Sequence, residues 1–329
     1  MWSDLHSRVH QVIRQRSLIP PHTRLLLAVS GGQDSLCLLR LGLDLQSRWG
    51  WSLAVAHCDH GWATDAGIAD HVAAIASGYN LPIYHATAEN LPETEAAARH
   101  WRYAALTALA ETHAYPYVLT GHTQSDRAET TLYHLIRGAG ADGLRSLPWQ
   151  RPLSPTVTLV RPLLTVTRTE TAQFCHTHHL PIWHDVANEN LAYARNRLRH
   201  EIIPQLKTHF NPQIEQAIAH TAELLHTDVD YLEAQARQLY HQTYHPDPPR
   251  LHRPTLNEHH LALQRRVIRQ CLAHHLPHAP TFAQIEQVQA LLTAPNGSRS
   301  STLPGQWWAV VERPWLRLQR KGPNRQSAP

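Results

Sequence analysis

An alternation of short apolar runs with helical segments constrains this chain most. Arg24–Val29 is an apolar run that stops at Ser-Gly-Gly, and it reads as a buried strand. Asp34–Arg48 follows at helical spacing. Ser52–His57, Leu81–His85 and Tyr117–Thr120 are further strand candidates, each followed by a helix candidate: Thr64–Ser77, Glu93–Thr112 and Ser125–Arg137. Such β-α repetition predicts an α/β fold, a doubly wound parallel sheet covered on both faces. In that architecture ligands lie beyond the carboxyl ends of the strands.

The rest of the chain reads differently. Gly138–Pro155 and Pro181–Asn190 are loop-like, with a further strand at Thr156–Val160. Asn196–Lys207 and Pro212–His241 are helical. The run His-Pro-Asp-Pro-Pro at 245–249 is a strong breaker. Beyond it come helices at Leu261–His275 and Thr281–Leu292, then a hairpin of Gln306–Val311 and Trp315–Leu318. The expected organisation is an α/β catalytic domain over 1–210, a helical linker over 211–245, and a small α+β domain over 246–329.

Composition narrows the class. The chain is 42% hydrophobic and 17% charged, which permits a core and argues against disorder. A net charge of +4 suits a polyanionic partner. The four cysteines form no C-x-x-C pair, which disfavours a zinc ribbon, an iron–sulfur cluster or a disulfide scaffold. The 27 histidines show no metal spacing. Met1–Arg16 has helical periodicity without the apolar core of a signal peptide, and no run nears the ~20 apolar residues of a membrane span. The expectation is a soluble cytoplasmic protein with no membrane partner.

Five segments carry chemistry. Ser30-Gly31-Gly32-Gln33-Asp34-Ser35 joins a strand to a helix. Its glycines let backbone N–H groups turn toward a phosphate, and the helix start adds its positive end. Asp34 is placed to hold the magnesium that accompanies ATP. The plain alternative is an ordinary turn capped by Asp34. His57-Cys58-Asp59-His60-Gly61 ends the second strand with polar groups suited to face a ligand, or to hold a turn through Asp59. Glu95, Arg99 and Arg102 share one helical face, as a site or as a solvated ladder. Within Thr120–Thr130, His122, Asp126, Glu129 and Thr130 gather near one face. They suit an amine substrate or proton transfer, while Thr123 and Ser125 suit helix capping. Arg195, Arg197 and Arg199 form a dense positive feature suited to a reacting phosphate or to a charged surface.

The first segment lacks the lysine of a Walker loop and resembles the S-G-G-x-D-S signature of PP-loop ATP pyrophosphatases, the adenine nucleotide alpha hydrolase-like fold. With His57–Gly61, Gly121–Thr130, Arg137–Leu144, Arg161–Leu164, Asp185–Asn188 and Arg195–Pro204, the set resembles the tRNA(Ile)-lysidine synthetase family in its shorter form, lacking a second C-terminal domain. One position departs: Ser125 stands where the family usually has the first of two aspartates. The resemblance implies the following. ATP is bound by Ser30, Gly31, Gly32, Gln33, Asp34 and Ser35, with His57 and Asp59. Asp34, His122 and Arg197 act at the reacting phosphate, with Mg2+ near Asp34. L-lysine is recognised by Arg102, Asp126 and Glu129. Arg195 and Arg199 meet tRNA phosphate. The substrate is the CAU-anticodon tRNA(Ile), whose wobble cytidine is adenylated and then ligated to lysine, and a homodimer is expected. Competing readings are a thiolating PP-loop enzyme, a small-molecule amidating synthetase, and a non-catalytic nucleotide or RNA binding module.

Overall fold

The computed structural model describes residues 2–62, 65–184 and 190–320. Thr64, where the second helix was expected to begin, and the Asp185–Asn188 motif lie outside the described residues. So do 321–329 of the C-terminal domain. The chain divides into two compact units, Met1–His226 and Thr227–Pro329.

The first unit holds a six-stranded sheet. Its strands are β1 (Arg24–Ala28), β2 (Ser52–Asp59), β3 (Ile83–Thr87), β4 (Tyr117–Leu119), β5 (Gln150–Pro152) and β6 (Thr158–Val160), in the order β3-β2-β1-β4-β6-β5. All neighbours are parallel except β5, which runs antiparallel to β6 along the edge. Strand pleating explains the layering. Leu25 and Leu27 point into one core with Leu53 and Val55, while Leu26 points into the other with Ala54, Ala56 and Val118. The helices α1 (Asp4–Gln15), α2 (Gln33–Trp49), α3 (Ile68–Gly78) and α7 (Arg168–Thr177) supply the first core, and α4 (Glu95–Thr112) the second. Both faces are covered, as the apolar strand runs require.

Helix ends follow local chemistry. Helix α5 (Gln124–Ile136) starts at Thr123, whose hydroxyl accepts from the Asp126 N–H while the Asp126 carboxylate accepts from the Thr123 N–H. Helix α7 opens with the same box, Thr167 with Glu170. The glycine-rich stretch after α5 holds a one-turn helix, α6 (Ala141–Leu144). The segment expected as one helix over Asn196–Lys207 is split into α8 (Ala194–Arg197), a π-helical turn (Leu198–Ile202) and α9 (Ile203–His209). Pro204 has no N–H to give the ladder, and the re-registered turn accommodates it.

Helix α10 (Ile214–Thr243) runs unbroken through the segment expected as linker. In the second unit α10 leads to β7 (Tyr244–Pro246) and β8 (Pro249–His252), a hairpin through the predicted breaker. Then come α11 (Arg253–Asn257), α12 (Leu261–His275), α13 (Phe282–Ala290), β9 (Trp307–Glu312) and β10 (Trp315–Arg320). The antiparallel sheet is ordered β7-β8-β10-β9 over a core that includes Val267, Ile268, Cys271, Val311 and Leu316. Trp307 packs against this core and beside His275. Among the described residues no helix is long and apolar enough to cross a membrane.

Candidate active site

Strand order reverses between β1 and β4: β2 and β3 extend the sheet on one side of β1, β4 and β6 on the other. A crevice opens at such a reversal beyond the carboxyl ends of the two strands. The Ser30–Ser35 segment leaves β1 there, and the Gly121–Thr130 segment leaves β4. Gly121 lies so close that a Cβ on it would stand 2.7 Å from the Asp34 carbonyl oxygen and 3.0 Å from the Ser35 nitrogen. The two segments thus form the walls of one site.

The Ser30–Ser35 turn is rigidly built. Gly31 has φ +82°, a left-handed value that favours glycine, and its carbonyl accepts from the Trp183 N–H at 3.0 Å. The Ser35 hydroxyl donates to the Gly32 carbonyl at 2.8 Å and accepts from the Ser30 N–H at 3.2 Å. Gly32 caps α2 without a side chain, which leaves the first-turn N–H groups facing the crevice. Gln33 is turned away: its amide donates to the Arg168 carbonyl at 2.8 Å and to the Thr171 hydroxyl at 3.0 Å.

Asp34 sits in the first turn of α2. The Thr171 hydroxyl donates to its carboxylate at 2.5 Å, and the Arg168 guanidinium lies at 3.3 Å. Burial pushes the Asp34 carboxyl above its ordinary value, Asp126 adds to the rise, and Arg168 and Thr171 oppose it. The Asp34 carboxylate is a hard oxygen donor of the kind a magnesium ion takes alongside phosphate. Among the described residues no group of three His, Cys, Asp or Glu side chains could hold a metal ion. A lone carboxylate fits an ion whose other ligands are phosphate and water, and does not fit a structural zinc.

Around this pair the β4 segment is densely bonded. Burial would raise the Asp126 carboxyl, but His122, Arg168 and the two Thr123 donors hold it below its usual range. His122 donates to or accepts from the Thr120 hydroxyl at 2.8 Å. Burial, reinforced by Arg161, Arg99 and Arg102, lowers its pKa to about 3, so its imidazole is neutral at working pH. Glu129 is 2% exposed and takes both nitrogens of the Arg199 fork, at 2.7 and 2.8 Å. Burial raises the Glu129 carboxyl and Arg199 counteracts it. Ser125 is buried, and its hydroxyl accepts from the Arg168 N–H at 3.2 Å, so it anchors the start of α7.

The three arginines of the later motif have separate fates. Arg195 pairs with Glu95 at 2.8 Å and Arg199 with Glu129, which offsets their charge locally. Arg197 donates to the Leu191 and Ala192 carbonyls at 2.7 and 2.9 Å and staples the preceding loop. His57 is buried and hydrogen-bonds the Val29 carbonyl at 2.8 Å, which fixes the strand end just before the phosphate-binding turn. Asp59 accepts from the Gly61 N–H at 2.8 Å, the turn-holding alternative. Arg102 is exposed on α4.

Arg168 and Thr171, both on Asp34, escaped the sequence reading. The signal was present: Thr167-x-x-Glu170 is a capping box that marks a helix start. Its helix is too polar to stand out by periodicity.

Fold and site together define a PP-loop nucleotide-binding domain. A family model described as PP-loop domain matches residues 1–206, and one described as TilS substrate binding domain matches residues 251–320. The chain belongs to the tRNA(Ile)-lysidine synthase family. It is 51% identical over 327 residues to a tRNA(Ile)-lysidine synthase of Synechocystis sp., covering 98% of this chain and 99% of that one. It is 51% identical over 342 residues to one of Nostoc sp., covering 99% and 100%. A chloroplastic counterpart from Zygnema circumcarinatum is 33% identical over 337 residues, covering 88% and 80%. Among solved structures, the U34-tRNA thiolase NcsA of Methanococcus maripaludis superposes with a TM-score of 0.56 at 16% identity, over 68% of this chain and 78% of that one, a likeness of fold.

Proposed function

We propose that the chain ligates L-lysine to C2 of the wobble cytidine of CAU-anticodon tRNA(Ile), with ATP split to AMP and pyrophosphate. The observation that carries this is the crevice between β1 and β4, where the phosphate-binding turn faces Asp126 and His122 in a chain of this family. In the first step the cytidine O2 attacks the α-phosphate and pyrophosphate leaves. In the second, the lysine ε-amine attacks C2, the C2–O bond to AMP breaks, and the amine gives up a proton.

Each residue has an assigned part. The first-turn N–H groups of α2 and the Ser30 and Ser35 hydroxyls hold the β- and γ-phosphates. Asp34 would hold Mg2+, which when bound offsets phosphate charge. Neutral His122 donates a hydrogen bond near the α-phosphate. Asp126 and Glu129 receive the lysine ammonium, with Arg199 paired to Glu129 and with Arg102 available to the lysine carboxylate. The second unit, and the 246–329 region within it, grips the tRNA outside the anticodon. The protein works in the cytoplasm, and a homodimer is the expected assembly.

Thiolation is disfavoured by the missing C-x-x-C pair, and small-molecule amidation by the match of residues 251–320 to a substrate binding domain. The test is pyrophosphate release with and without lysine and CAU-anticodon tRNA(Ile). Release that depends on the tRNA supports the assignment, and release indifferent to both additions refutes it.

A further inference from the structure

Three arginines converge on one tyrosine without an acid among them. Tyr103 and Arg99 belong to α4, Arg151 to β5, and Arg161 follows β6 directly. The Arg151 guanidinium carbon lies 4.3 Å from the Tyr103 ring centroid and that of Arg99 5.3 Å. Arg161 is 1% exposed. It donates to the Pro148 carbonyl at 2.8 Å and to the Tyr103 hydroxyl at 3.3 Å, and its Nε has no partner among the described residues. Among the described residues, none of these three arginines has a carboxylate within ion-pair distance, whereas Arg195 and Arg199 each have one.

The local potential is correspondingly positive. Burial would raise the Tyr103 phenol, yet Arg161, Arg99 and Arg151 hold it below its ordinary value. Burial lowers Arg99 and Arg161, and the neighbouring arginines lower them further. Burying cations without a counterion is unfavourable, so the cluster is electrostatically incomplete until an anion arrives. Its place is on the ligand side of the sheet: the Thr120 N–H donates to the Val160 carbonyl, which puts Arg161 beside the end of β4 that carries His122.

We propose that Arg99 and Arg151, held against the Tyr103 ring and backed by the buried charge of Arg161, bind a backbone phosphodiester of the substrate RNA next to the nucleotide being modified. This rests on the lysidine reading. Planar guanidinium forks suit phosphate oxygens, and an aromatic ring keeps them oriented. Three uncompensated cations exceed the single charge of a lysine carboxylate, and the phosphates of ATP are served by the turn after β1.

The experiment uses the full chain and a CAU-anticodon stem–loop RNA in fluorescence anisotropy. Arg151 is the residue to change, since it lies half-buried on the edge strand. Arg151→Gln is expected to weaken RNA binding about tenfold, the worth of one charge-assisted contact. It is also expected to flatten the plot of log affinity against log salt by about 0.7. Arg151→Lys should keep the salt slope. Methylphosphonate replacement of the loop phosphates, one at a time, should find one position that costs the wild type affinity and costs Arg151→Gln nothing further. Unchanged RNA affinity and slope in Arg151→Gln would overturn the proposal. So would a loss confined to the KM for lysine, which would make the anion a carboxylate. Lysidine formation by the wild type is scored separately, so failure of that reading appears in the wild type and failure of this one in the variant.

Discussion

Gly121→Ala tests the contact between the two walls of the site. The added Cβ would stand 2.7 Å from the Asp34 carbonyl oxygen, 2.8 Å from its carbon and 3.0 Å from the Ser35 nitrogen. All three are backbone atoms at the start of α2, so no side chain can swing aside. The Gly121 backbone itself adopts a φ open to any residue, so the penalty is steric alone. Restoring an ordinary contact of about 3.4 Å requires a shift of about 0.7 Å between the β4 segment and the phosphate-binding turn. Overpacking of this kind costs about 1–3 kcal/mol, or roughly 3–9 °C in Tm. Because the shift separates Asp34 from Asp126 and His122, the chemistry suffers more: misplacement near 1 Å costs on the order of 100-fold. The assay is pyrophosphate release under saturating lysine and tRNA, beside thermal unfolding. Gly78→Ala is the control, as its Cβ would meet nothing within 4 Å inside α3. The expected result is a 10- to 100-fold lower kcat for Gly121→Ala and no loss for Gly78→Ala. Wild-type kcat and Tm in Gly121→Ala would refute the packing argument.

Three other outcomes are expected. Glu223→Ala removes the partner of Arg127, which is 3% exposed and 2.7 Å away. Chemical denaturation should show a loss of about 2–3 kcal/mol, less than the ~3–5 of a fully buried pair because Glu223 is partly exposed. Arg199→Lys keeps the charge beside Glu129 but loses the two-nitrogen fork, so the KM for lysine should rise roughly tenfold while ATP affinity, read by isothermal titration, holds. His122 stays neutral down to about pH 3, whereas an unfolded histidine takes up its proton near 6.5. Its contribution to stability is therefore complete above pH 6.5 and is lost as pH falls toward 3. The kcat/KM profile should show no acid limb from His122, and a limb near 6.5 that vanishes in His122→Gln would contradict this.

The sequence made the central sheet legible because parallel strands buried on both faces are continuous apolar runs. Leu25, Leu26 and Leu27 are such a run, and the turn after it announces its phosphate chemistry through two adjacent glycines. What escaped had weaker signals. Strand β5 is three residues long, ends on a proline and runs along the sheet edge, where no alternation is required. Strands β7 and β8 sit in a proline-rich segment that reads as a breaker. Helix α7 is polar, and its part in holding Asp34 depends on a contact across 137 positions of sequence. Pairing was equally hidden. Arg195 and Arg199 look like free positive charge in the sequence, and the fold brings each to a glutamate on another helix.

On this assignment one active site couples the splitting of ATP to the joining of lysine and tRNA. The direct measurement incubates the protein with ATP, labelled lysine and CAU-anticodon tRNA(Ile), and counts AMP, pyrophosphate and RNA-bound lysine together. Equal amounts of all three, lost together in Asp34→Asn, are the predicted result. AMP and pyrophosphate formed with no lysine on the RNA would contradict it.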